Sequence, residues 1–398
     1  MQRFTSASLV AVVALFLSVG ATNAADKVNL TYVEEAPSPI GKLTQTDFDN
    51  MAASDFTHFV FAFINFCTPA TGGNFTCPGT DPVIVWNIKG IDDPNGAAKA
   101  MMKGLADAGK TIYVSIGGAQ NDETWSYFAN ATTSERATAM AKLETFMTDY
   151  HVTCIDLDFE TSSNSGYNNF AAAIANNLSP TPPVSIAPYN CGGSSELVWQ
   201  YCNLVGASKI SPTLINRQYY AGGAQCEGWP GPSPKMPSLV AAAIQTDLGT
   251  STCQDGSTIT VTQAQLNPGL ATLNTVDNNR SQANCEASGT GNTMYSGCAD
   301  IVSTYVTANP DIGGAALWQW TSLKDQKAYA SEISAALGNN SCFWLSNITN
   351  EWVPAPGNPT TNSQCQALDS CQSGGGGLSG GGCYKWTFSA SDPQNQWN

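Results

Sequence analysis

The sequence predicts an α/β fold in which helices cover both faces of a parallel sheet. Short runs rich in β-branched and aromatic residues alternate with segments of helical length, and the alternation repeats about eight times. The runs are almost continuously apolar, which is typical of strands buried on both faces. No glycine-rich phosphate loop follows the first run, residues 27–33, so an open nucleotide-binding sheet is disfavoured.

Eight strand–helix units are the number that closes a (β/α)8 TIM barrel, and roughly 300 residues suffice for one. The helix predicted at 134–150 begins at Ser134, and Gly109 and Pro310 are stop signals for two others. The predicted strands are residues 27–33, 56–66, 110–118, 152–160, 183–189, 214–220, 258–266 and 313–320. The predicted helices are residues 97–109, 134–150, 166–178, 238–249 and 298–310.

The two ends of the chain differ from the barrel region, residues 25–338. Residues 1–24 combine Arg3, an apolar run and small residues up to Ala24, which is the pattern of a secretory signal peptide. Residues 339–398 contain four cysteines, four tryptophans and a glycine run, so we expect a small Cys/Trp/Gly-rich extension held by disulfides. The extension is interpreted either as a cap on the barrel or as a carbohydrate-binding segment, because flat aromatic faces bind sugar rings.

Charge and cysteine content restrict the partners and the compartment. The chain has 31 acidic and 16 basic residues, which disfavours nucleic acid and anionic membranes as partners. Thirteen cysteines in an exported chain indicate disulfides, and Cys154, inside an apolar strand, is expected to be the free one. The sequence contains no CxxC pair and no His–Cys cluster, so we expect neither a structural zinc site nor a cofactor.

We therefore expect a secreted, extracellular and monomeric glycoprotein. N-x-[ST] sequons occur at Asn29, Asn74, Asn130, Asn177, Asn279, Asn339 and Asn347.

Three carboxylates stand at alternate positions of the fourth predicted strand, in the stretch IDLDFE. Side chains two residues apart in a strand point the same way, so Asp156, Asp158 and Glu160 should form a ladder inside the barrel. Glu160 should lie at the carboxyl end, where barrel enzymes place their active sites. Crowded, desolvated acids raise at least one pKa, and the retained proton suits general-acid cleavage of a glycosidic bond. An exposed edge strand or a calcium loop is the alternative, although the apolar spacers Leu157 and Phe159 disfavour calcium.

Four ordered motifs resemble glycoside hydrolase family 18, in the chitinase group, and most of all the class III (hevamine-like) chitinases. The resemblance covers about residues 27–337. Its motifs are Ser115–Gly118 on the third strand, Thr153–Glu160 on the fourth, Gln218–Tyr220 on the sixth and Trp318 at the end of the eighth.

The resemblance implies a chitinase that hydrolyses β-1,4 linkages between N-acetylglucosamine units with retention, by the substrate-assisted route. Glu160 would be the general acid and later the base. Asp158 would orient the acetamide whose oxygen attacks the anomeric carbon, and Asp156 would share a proton with Asp158. Tyr220 would hydrogen-bond the acetamide carbonyl. Trp318 would form the floor beneath the sugar, although on the residues alone it is equally a core aromatic.

Further candidates lie near strand ends. Gln218 is expected to hydrogen-bond the substrate, with an ordinary polar barrel residue as the alternative. Tyr32, Glu34 and Tyr189 either line the cleft, face solvent or pack against neighbours.

Two further features bear on the resemblance. Thr153 and Cys154 replace the Asp-Gly that opens the family's strand-four motif, which bears on rate and pH optimum. The class III arrangement also implies that Cys191 pairs with Cys226.

The expected partner is chitin or another glycan that contains N-acetylglucosamine. No long insertion follows the seventh predicted strand, which favours an open groove and internal cleavage of chains. One alternative is an endo-β-N-acetylglucosaminidase acting on N-glycans. Another is a non-catalytic chitinase-like lectin or inhibitor, which the presence of both Asp158 and Glu160 disfavours.

Overall fold

The computed structural model describes most of the barrel region. The predicted signal peptide, most of the predicted extension, and Cys191 and Cys226 lie outside the described residues. No helix in the described part of the chain is both long enough and apolar enough to cross a membrane. The described residues are 27–34, 43–67, 83–86, 97–119, 122–161, 164–189, 195–220, 236–271, 296–320, 326–339, 343–345 and 352–354.

Strands in the described ranges are numbered in chain order. They are β1 Val28–Val33, β2 His58–Cys67, β3 Val83–Trp86, β4 Thr111–Gly117, β5 Cys154–Asp158, β6 Val184–Ile186, β7 Leu214–Gln218, β8 Gly249–Thr252, β9 Thr258–Val261, β10 Leu266–Ala271, β11 Gly314–Trp318, β12 Phe343–Leu345 and β13 Trp352–Pro354. The helices are α1 Gln45–Ala53, α2 Ala97–Asp107, α3 Glu123–Asn130, α4 Thr133–Asp149, α5 Asn164–Asn177, α6 Ser195–Ser208, α7 Met236–Asp247, α8 Ser296–Ala308 and α9 Gln326–Ala336.

Within the described ranges, eight parallel strands close a barrel in the order β1-β2-β4-β5-β6-β7-β10-β11, and β11 returns to β1. The predicted (β/α)8 TIM barrel is therefore confirmed. The antiparallel strand β3 extends the carboxyl half of β2, where Ile64 pairs with Trp86. The short strands β12 and β13 form a separate antiparallel pair.

The seventh barrel strand lies later in the chain than predicted. Residues 258–266 were expected to form it, but β9 at the start of this range pairs with β8 in an antiparallel hairpin. Side chains of β9 are alternately exposed and buried, as in a strand with one solvent face. The barrel strand is β10, which is buried throughout and pairs with β7 and β11 although it contains Pro268.

Helix α4 begins slightly before the predicted Ser134. Thr132 caps it: its hydroxyl accepts from the Glu135 backbone N–H at 3.3 Å, and Glu135 accepts from the Thr132 N–H at 2.7 Å. This reciprocal capping box satisfies two helix-terminal donors, which Ser134 cannot do from inside the first turn. The predicted helices also did not include α1, α3, α6 and α9.

The barrel interior changes from apolar to polar along the strands. Leu30, Val60, Tyr113, Cys154 and Leu214 form an inner cluster toward the amino ends. Cys154 is a buried free cysteine, as predicted. Polar side chains lie inside the barrel toward the carboxyl ends, and these positions hold the candidate site.

Candidate active site

The three predicted carboxylates rise along one side of β5. Asp156 and Asp158 are buried inside the barrel, and Glu160 follows the strand end in a half-buried position. Strand β4 approaches closely at this point, since Gly117 pairs with Asp158 and a Cβ on Gly117 would lie 2.2 Å from the Asp158 carbonyl oxygen. Gly118 donates its N–H to the same oxygen at 2.8 Å. The two glycines therefore let β4 fix the backbone between the upper two carboxylates.

Asp156 is surrounded by hydrogen-bond donors from four other strands. Ser185 at 2.5 Å and the Asn216 amide at 3.2 Å donate to Oδ1, while Ser115 at 2.7 Å and the Tyr32 hydroxyl at 3.2 Å donate to Oδ2. Burial raises the pKa of Asp156 above its ordinary value, and these four hydrogen bonds oppose the rise.

Asp158 and Glu160 form a hydrogen-bonded pair. The Gln218 amide donates to Asp158 Oδ1 at 2.9 Å, to Glu160 Oε1 at 3.3 Å and to the Ala187 carbonyl at 3.0 Å, so it holds both carboxyls together. Burial raises the pKa of both, and the negative charges of Glu160 and Asp156 raise the pKa of Asp158 further. Two desolvated carboxyls in contact cannot both ionise cheaply, so the pair holds its last proton to a higher pH than an isolated carboxyl would.

An aromatic floor lies beside this pair. The Trp318 ring is half-buried, and its centroid lies 5.4 Å from Tyr32, 6.0 Å from Phe63 and 6.4 Å from Tyr220. Tyr220 is buried close enough to the carboxylates that, after burial, the charges of Asp158 and Glu160 raise the pKa of its hydroxyl. The structure thus brings the aromatic and the acidic candidates together at the carboxyl ends of the strands.

Two further carboxyls stand near Glu160. Glu34 receives a hydrogen bond from Gln319 Nε2 and donates its backbone N–H to Gln319 Oε1, both at 3.1 Å. Burial, followed by the charge of Glu160, raises the pKa of Glu34 to about 7. Glu196, at the start of α6, accepts from Gln200 at 3.0 Å, and its charge contributes to the raised pKa of Glu160.

Tyr189 lies on the Glu196 side of the candidate site. It is half-buried, and the charges of Glu196 and Glu160 add to the effect of burial in raising its pKa. Tyr32, Glu34 and Tyr189 are therefore near the carboxylates, rather than dispersed over the surface.

The departure at Thr153 and Cys154 lies at the amino end of β5. Thr153 is exposed and directs its hydroxyl to the Ile112 carbonyl, while Cys154 packs inside the barrel near Tyr113. Glu160 is seven residue steps beyond Thr153, which in extended chain is about 23 Å. The departure therefore removes no charge from the immediate surroundings of Glu160.

Sequence reasoning missed several polar neighbours. Ser185 and Asn216 donate hydrogen bonds to Asp156, and both occupy inward positions of barrel strands. Asn216 lies two residues before Gln218 on the same strand. The alternation that identified the carboxylate ladder could have indicated them. Gln319 offered no local signal, because its hydrogen bonds join residues 285 positions apart.

In the residues that the structure describes, no group of three or more His, Cys, Asp or Glu side chains is arranged to bind a metal ion.

Comparison with known proteins supports the motif analysis. Residues 31–190 match the family model of glycosyl hydrolases family 18, and this span contains β2 to β6 with the three carboxylates. The resemblance to glycoside hydrolase family 18 is thereby confirmed, and the class III assignment within it stays a prediction. No curated protein matches the chain.

Solved structures share the barrel. A GH18 chitinase from Pseudoalteromonas aurantia is similar with a TM-score of 0.54 and 13% identity, over 78% of this chain and 100% of that one. A putative chitinase A from Streptomyces coelicolor is similar with a TM-score of 0.51 and 15% identity, over 78% of this chain and 98% of that one. A fungal endo-beta-N-acetylglucosaminidase from glycosyl hydrolase family 18 is similar with a TM-score of 0.50 and 16% identity, over 77% of this chain and 97% of that one. At these identities the likeness establishes the fold.

Proposed function

We propose that this protein is a secreted chitinase that hydrolyses β-1,4 linkages between N-acetylglucosamine units by substrate-assisted, retaining catalysis. One observation carries the proposal: Glu160 shares a hydrogen bond with Asp158 and Gln218 at the carboxyl end of β5, next to Tyr220. That arrangement supplies a retained proton beside an anionic partner, close to an aromatic surface on which a sugar ring can lie.

Proton transfer begins the reaction. The proton retained by the Asp158–Glu160 pair passes through Glu160 to the glycosidic oxygen, and the bond between that oxygen and the anomeric carbon breaks. A positioned general acid contributes about 10²–10⁴-fold to such a step. The pair is suited to it because burial raises both pKa values, so the acid form persists to a higher pH than in a free carboxyl.

The substrate supplies the nucleophile. Its acetamide carbonyl oxygen bonds to the anomeric carbon and forms an oxazolinium ion, whose positive charge faces the Asp158 carboxylate. Tyr220 lies near Asp158 and holds the acetamide in line, while Trp318 supports the ring. Water then attacks the anomeric carbon and gives a proton to Glu160, while the bond from the acetamide oxygen to that carbon breaks. This step regenerates the acetamide and the acid, and the two displacements together retain the configuration.

Hydrolysis of N-glycans is the second candidate. The fungal structure described as an endo-beta-N-acetylglucosaminidase is about as similar to this chain as the two chitinase structures. The same acid and acetamide would serve both substrates, so the loops at the strand ends decide between them.

The test compares three substrates: a chitin oligomer, its deacetylated form and an N-glycan. Wild type should cleave the chitin oligomer, Glu160→Gln should lose at least about 100-fold in kcat, and the deacetylated oligomer should resist both. Glu144→Gln, on the exposed face of α4, is the matched control and should behave as wild type.

Each other result removes a part of the proposal. Equal cleavage of acetylated and deacetylated oligomers would exclude substrate assistance. Cleavage of the N-glycan alone would establish the second candidate, and binding without hydrolysis would indicate a lectin.

We also propose internal cleavage and secretion. Early products should span several oligomer lengths, and a disaccharide that dominates from the first minutes would exclude internal cleavage. The exported chain should begin at Ala25, which amino-terminal sequencing of the culture medium would check. Removal of residues 339–398, followed by retention on insoluble chitin, tests the proposed carbohydrate-binding segment.

A further inference from the structure

The four donors to Asp156 leave little room for a proton on that carboxyl. A carboxylate offers about four lone-pair sites, two on each oxygen. Ser185 and Asn216 occupy Oδ1, and Ser115 and Tyr32 occupy Oδ2. If Asp156 bound a proton, one of the four donors would have to leave its oxygen, or a hydroxyl would have to rotate and accept a hydrogen bond from the protonated carboxyl.

One of these donors is held by an amide on another strand. Asn267 of β10 donates its Nδ2 to Asn216 Oδ1 at 2.9 Å, and Asn216 donates its own Nδ2 to Asp156. Both asparagines are buried. Since Asn267 occupies the carbonyl side of the Asn216 amide, the N–H side faces the carboxylate. The two amides form a relay inside the barrel from β10 through its neighbour β7 to Asp156 on β5, which lies on the far side of β6.

The place of Asn267 is itself tightly defined. Gly314 of β11 lies against it, and a Cβ on that glycine would stand 2.7 Å from Asn267 Oδ1 and 2.0 Å from the Val28 carbonyl. Only glycine leaves space there for the asparagine. Position 314 therefore contributes to the relay, although it carries no side chain.

We propose that Asn216 and Asn267 are positioning residues that complete a four-donor cradle and keep Asp156 as a permanent carboxylate, so that the mobile proton stays in the Asp158–Glu160 pair. The proposal deepens the proposed function and rests on it. It differs from the expectation that Asp156 shares a proton with Asp158. In this structure Asp158 is hydrogen-bonded with Glu160, and Asp156 receives hydrogen bonds from neighbours other than Asp158.

Groups that titrate around Asp156 agree with this division. Asp158 lies on the same strand, and the charge of Asp156 raises its pKa. Tyr32 donates to Asp156, and burial is the main cause of the raised pKa of its hydroxyl, so Tyr32 stays a neutral donor near neutral pH. The charge of Asp156 also adds to the raised pKa of three tyrosines on other elements, which burial raises most and which are likewise neutral: Tyr113, Tyr167 and Tyr220. Asp156 is then a constant negative charge beneath the pair, which favours retention of the proton above it.

The experiment removes the relay at two points without touching the substrate surface. Asn216→Leu deletes the donor to Asp156, and Asn267→Leu frees the Asn216 amide to turn. Asn309→Leu is the matched control, because Asn309 is equally buried and hydrogen-bonded but lies beyond the end of α8. Ser185→Ala removes a different donor from the same cradle.

The expected result is a fall in kcat of about tenfold in both relay variants, with KM changed less than about twofold. Loss of a donor raises the pKa of Asp156, so the acid limb of the kcat profile should move to higher pH, and Ser185→Ala should move it the same way. Infrared spectroscopy of folded protein should then show one protonated carboxyl more than wild type shows at the same pH, in addition to Glu34 and the Asp158–Glu160 pair. Asn309→Leu should show neither change.

Two outcomes would overturn the inference. One is an unchanged acid limb together with the wild-type number of protonated carboxyls in folded Asn216→Leu and Ser185→Ala. The other is a protonated carboxyl in wild type that Asp158→Asn leaves intact and Asp156→Asn removes. The infrared measurement needs no substrate, so a wild type that cleaves none of the glycans would refute the proposed function and leave the cradle to be judged separately.

Discussion

Among the single residues of the candidate site, Glu34 has the clearest pH signature. Its side chain is held by Gln319, at the edge of the floor formed by Trp318. Burial and the charge of Glu160 raise its pKa from 4.5 to about 7, and the hydrogen bond from Gln319 opposes this only in part. The folded protein therefore binds a proton at Glu34 over a pH range in which the unfolded chain has released it.

This difference predicts how stability depends on pH. Between about pH 4.5 and 7 the native state holds more protons at Glu34 than the unfolded state, so the free energy of unfolding should fall as pH rises. The loss of stability from ionisation of Glu34 is at most about 3 kcal/mol, and it is complete above pH 7. Glu34→Gln should flatten the decline, and chemical denaturation at pH 4.5, 6 and 7.5 would measure it.

The control for Glu34 is Glu144→Gln, on an exposed helix face, which should keep the wild-type slope. Some decline should persist in Glu34→Gln, because burial also raises the pKa of Asp158 and Glu160. Identical slopes in wild type and Glu34→Gln would show that this carboxyl ionises freely in the native state.

Local spacing explains which site residues could be predicted. Asp156, Asp158 and Glu160 were found because a strand repeats every two residues and all three lie in one run. Glu34 was named only as one of several strand-end residues, since its partner Gln319 lies at the other end of the barrel sequence. Contacts made by barrel closure have no local signature.

At the scale of elements, close approach of β4 to β5 depends on Gly117. This residue has φ of 110°, and a Cβ would lie 2.2 Å from the Asp158 carbonyl oxygen. Gly117→Ala should therefore lower the free energy of unfolding by a few kcal/mol and displace the strand end that carries Glu160. Thermal unfolding and hydrolysis of a chitin oligomer would both report the change.

Gly104 provides the opposite case. It lies in α2, and a Cβ there would meet no atom within 4 Å apart from the backbone of its own helix. Gly104→Ala should stabilise the protein by about 0.5–1 kcal/mol, because alanine loses less backbone entropy in a helix. If Gly117→Ala were as well tolerated as Gly104→Ala, close strand approach would not be what that position requires.

The seventh strand shows where pattern reading fails for elements. Residues 258–261 have stronger β-propensity than 266–271, which contain Asn267, Pro268 and Gly269. Yet the second segment is the barrel strand, because its inner asparagine bonds Asn216 and Gly269 approaches the backbone of β7. Tertiary contacts override propensity when a strand needs polar and small residues.

The whole molecule is tied together by contacts between distant segments. Arg217 on β7 donates to Asp247 at the end of α7 at 2.9 Å, and both side chains are buried. Arg217 also donates to the carbonyls of Pro188 and Tyr189 after β6. Tyr219 donates to the same Asp247 oxygen at 2.8 Å. The network joins β7, α7 and the segment that carries Tyr189 near the candidate site.

A double-mutant cycle would measure this network. Arg217→Met leaves the buried Asp247 carboxylate without its guanidinium partner, and Asp247→Leu leaves the buried guanidinium without its carboxylate. Each substitution should lower the free energy of unfolding by about 3–5 kcal/mol. The double variant should cost clearly less than the sum, by about 2 kcal/mol or more. Strict additivity would mean that the two side chains contribute independently.

The disulfide between Cys202 in α6 and Cys253 beyond β8 acts on the unfolded chain as a whole. It joins residues 51 positions apart, and closing a loop of that size removes enough unfolded-state entropy to stabilise the native state by about 4 kcal/mol. Cys202→Ala/Cys253→Ala should therefore lower the midpoint of thermal unfolding by several degrees. Activity at 25 °C should persist, since the bridge ties the helical layer to the β8–β9 hairpin and leaves the carboxyl ends of the strands intact. Loss of activity at a temperature where circular dichroism shows the variant folded would instead mean that α6, which carries Glu196, depends on the bridge for its place beside Glu160.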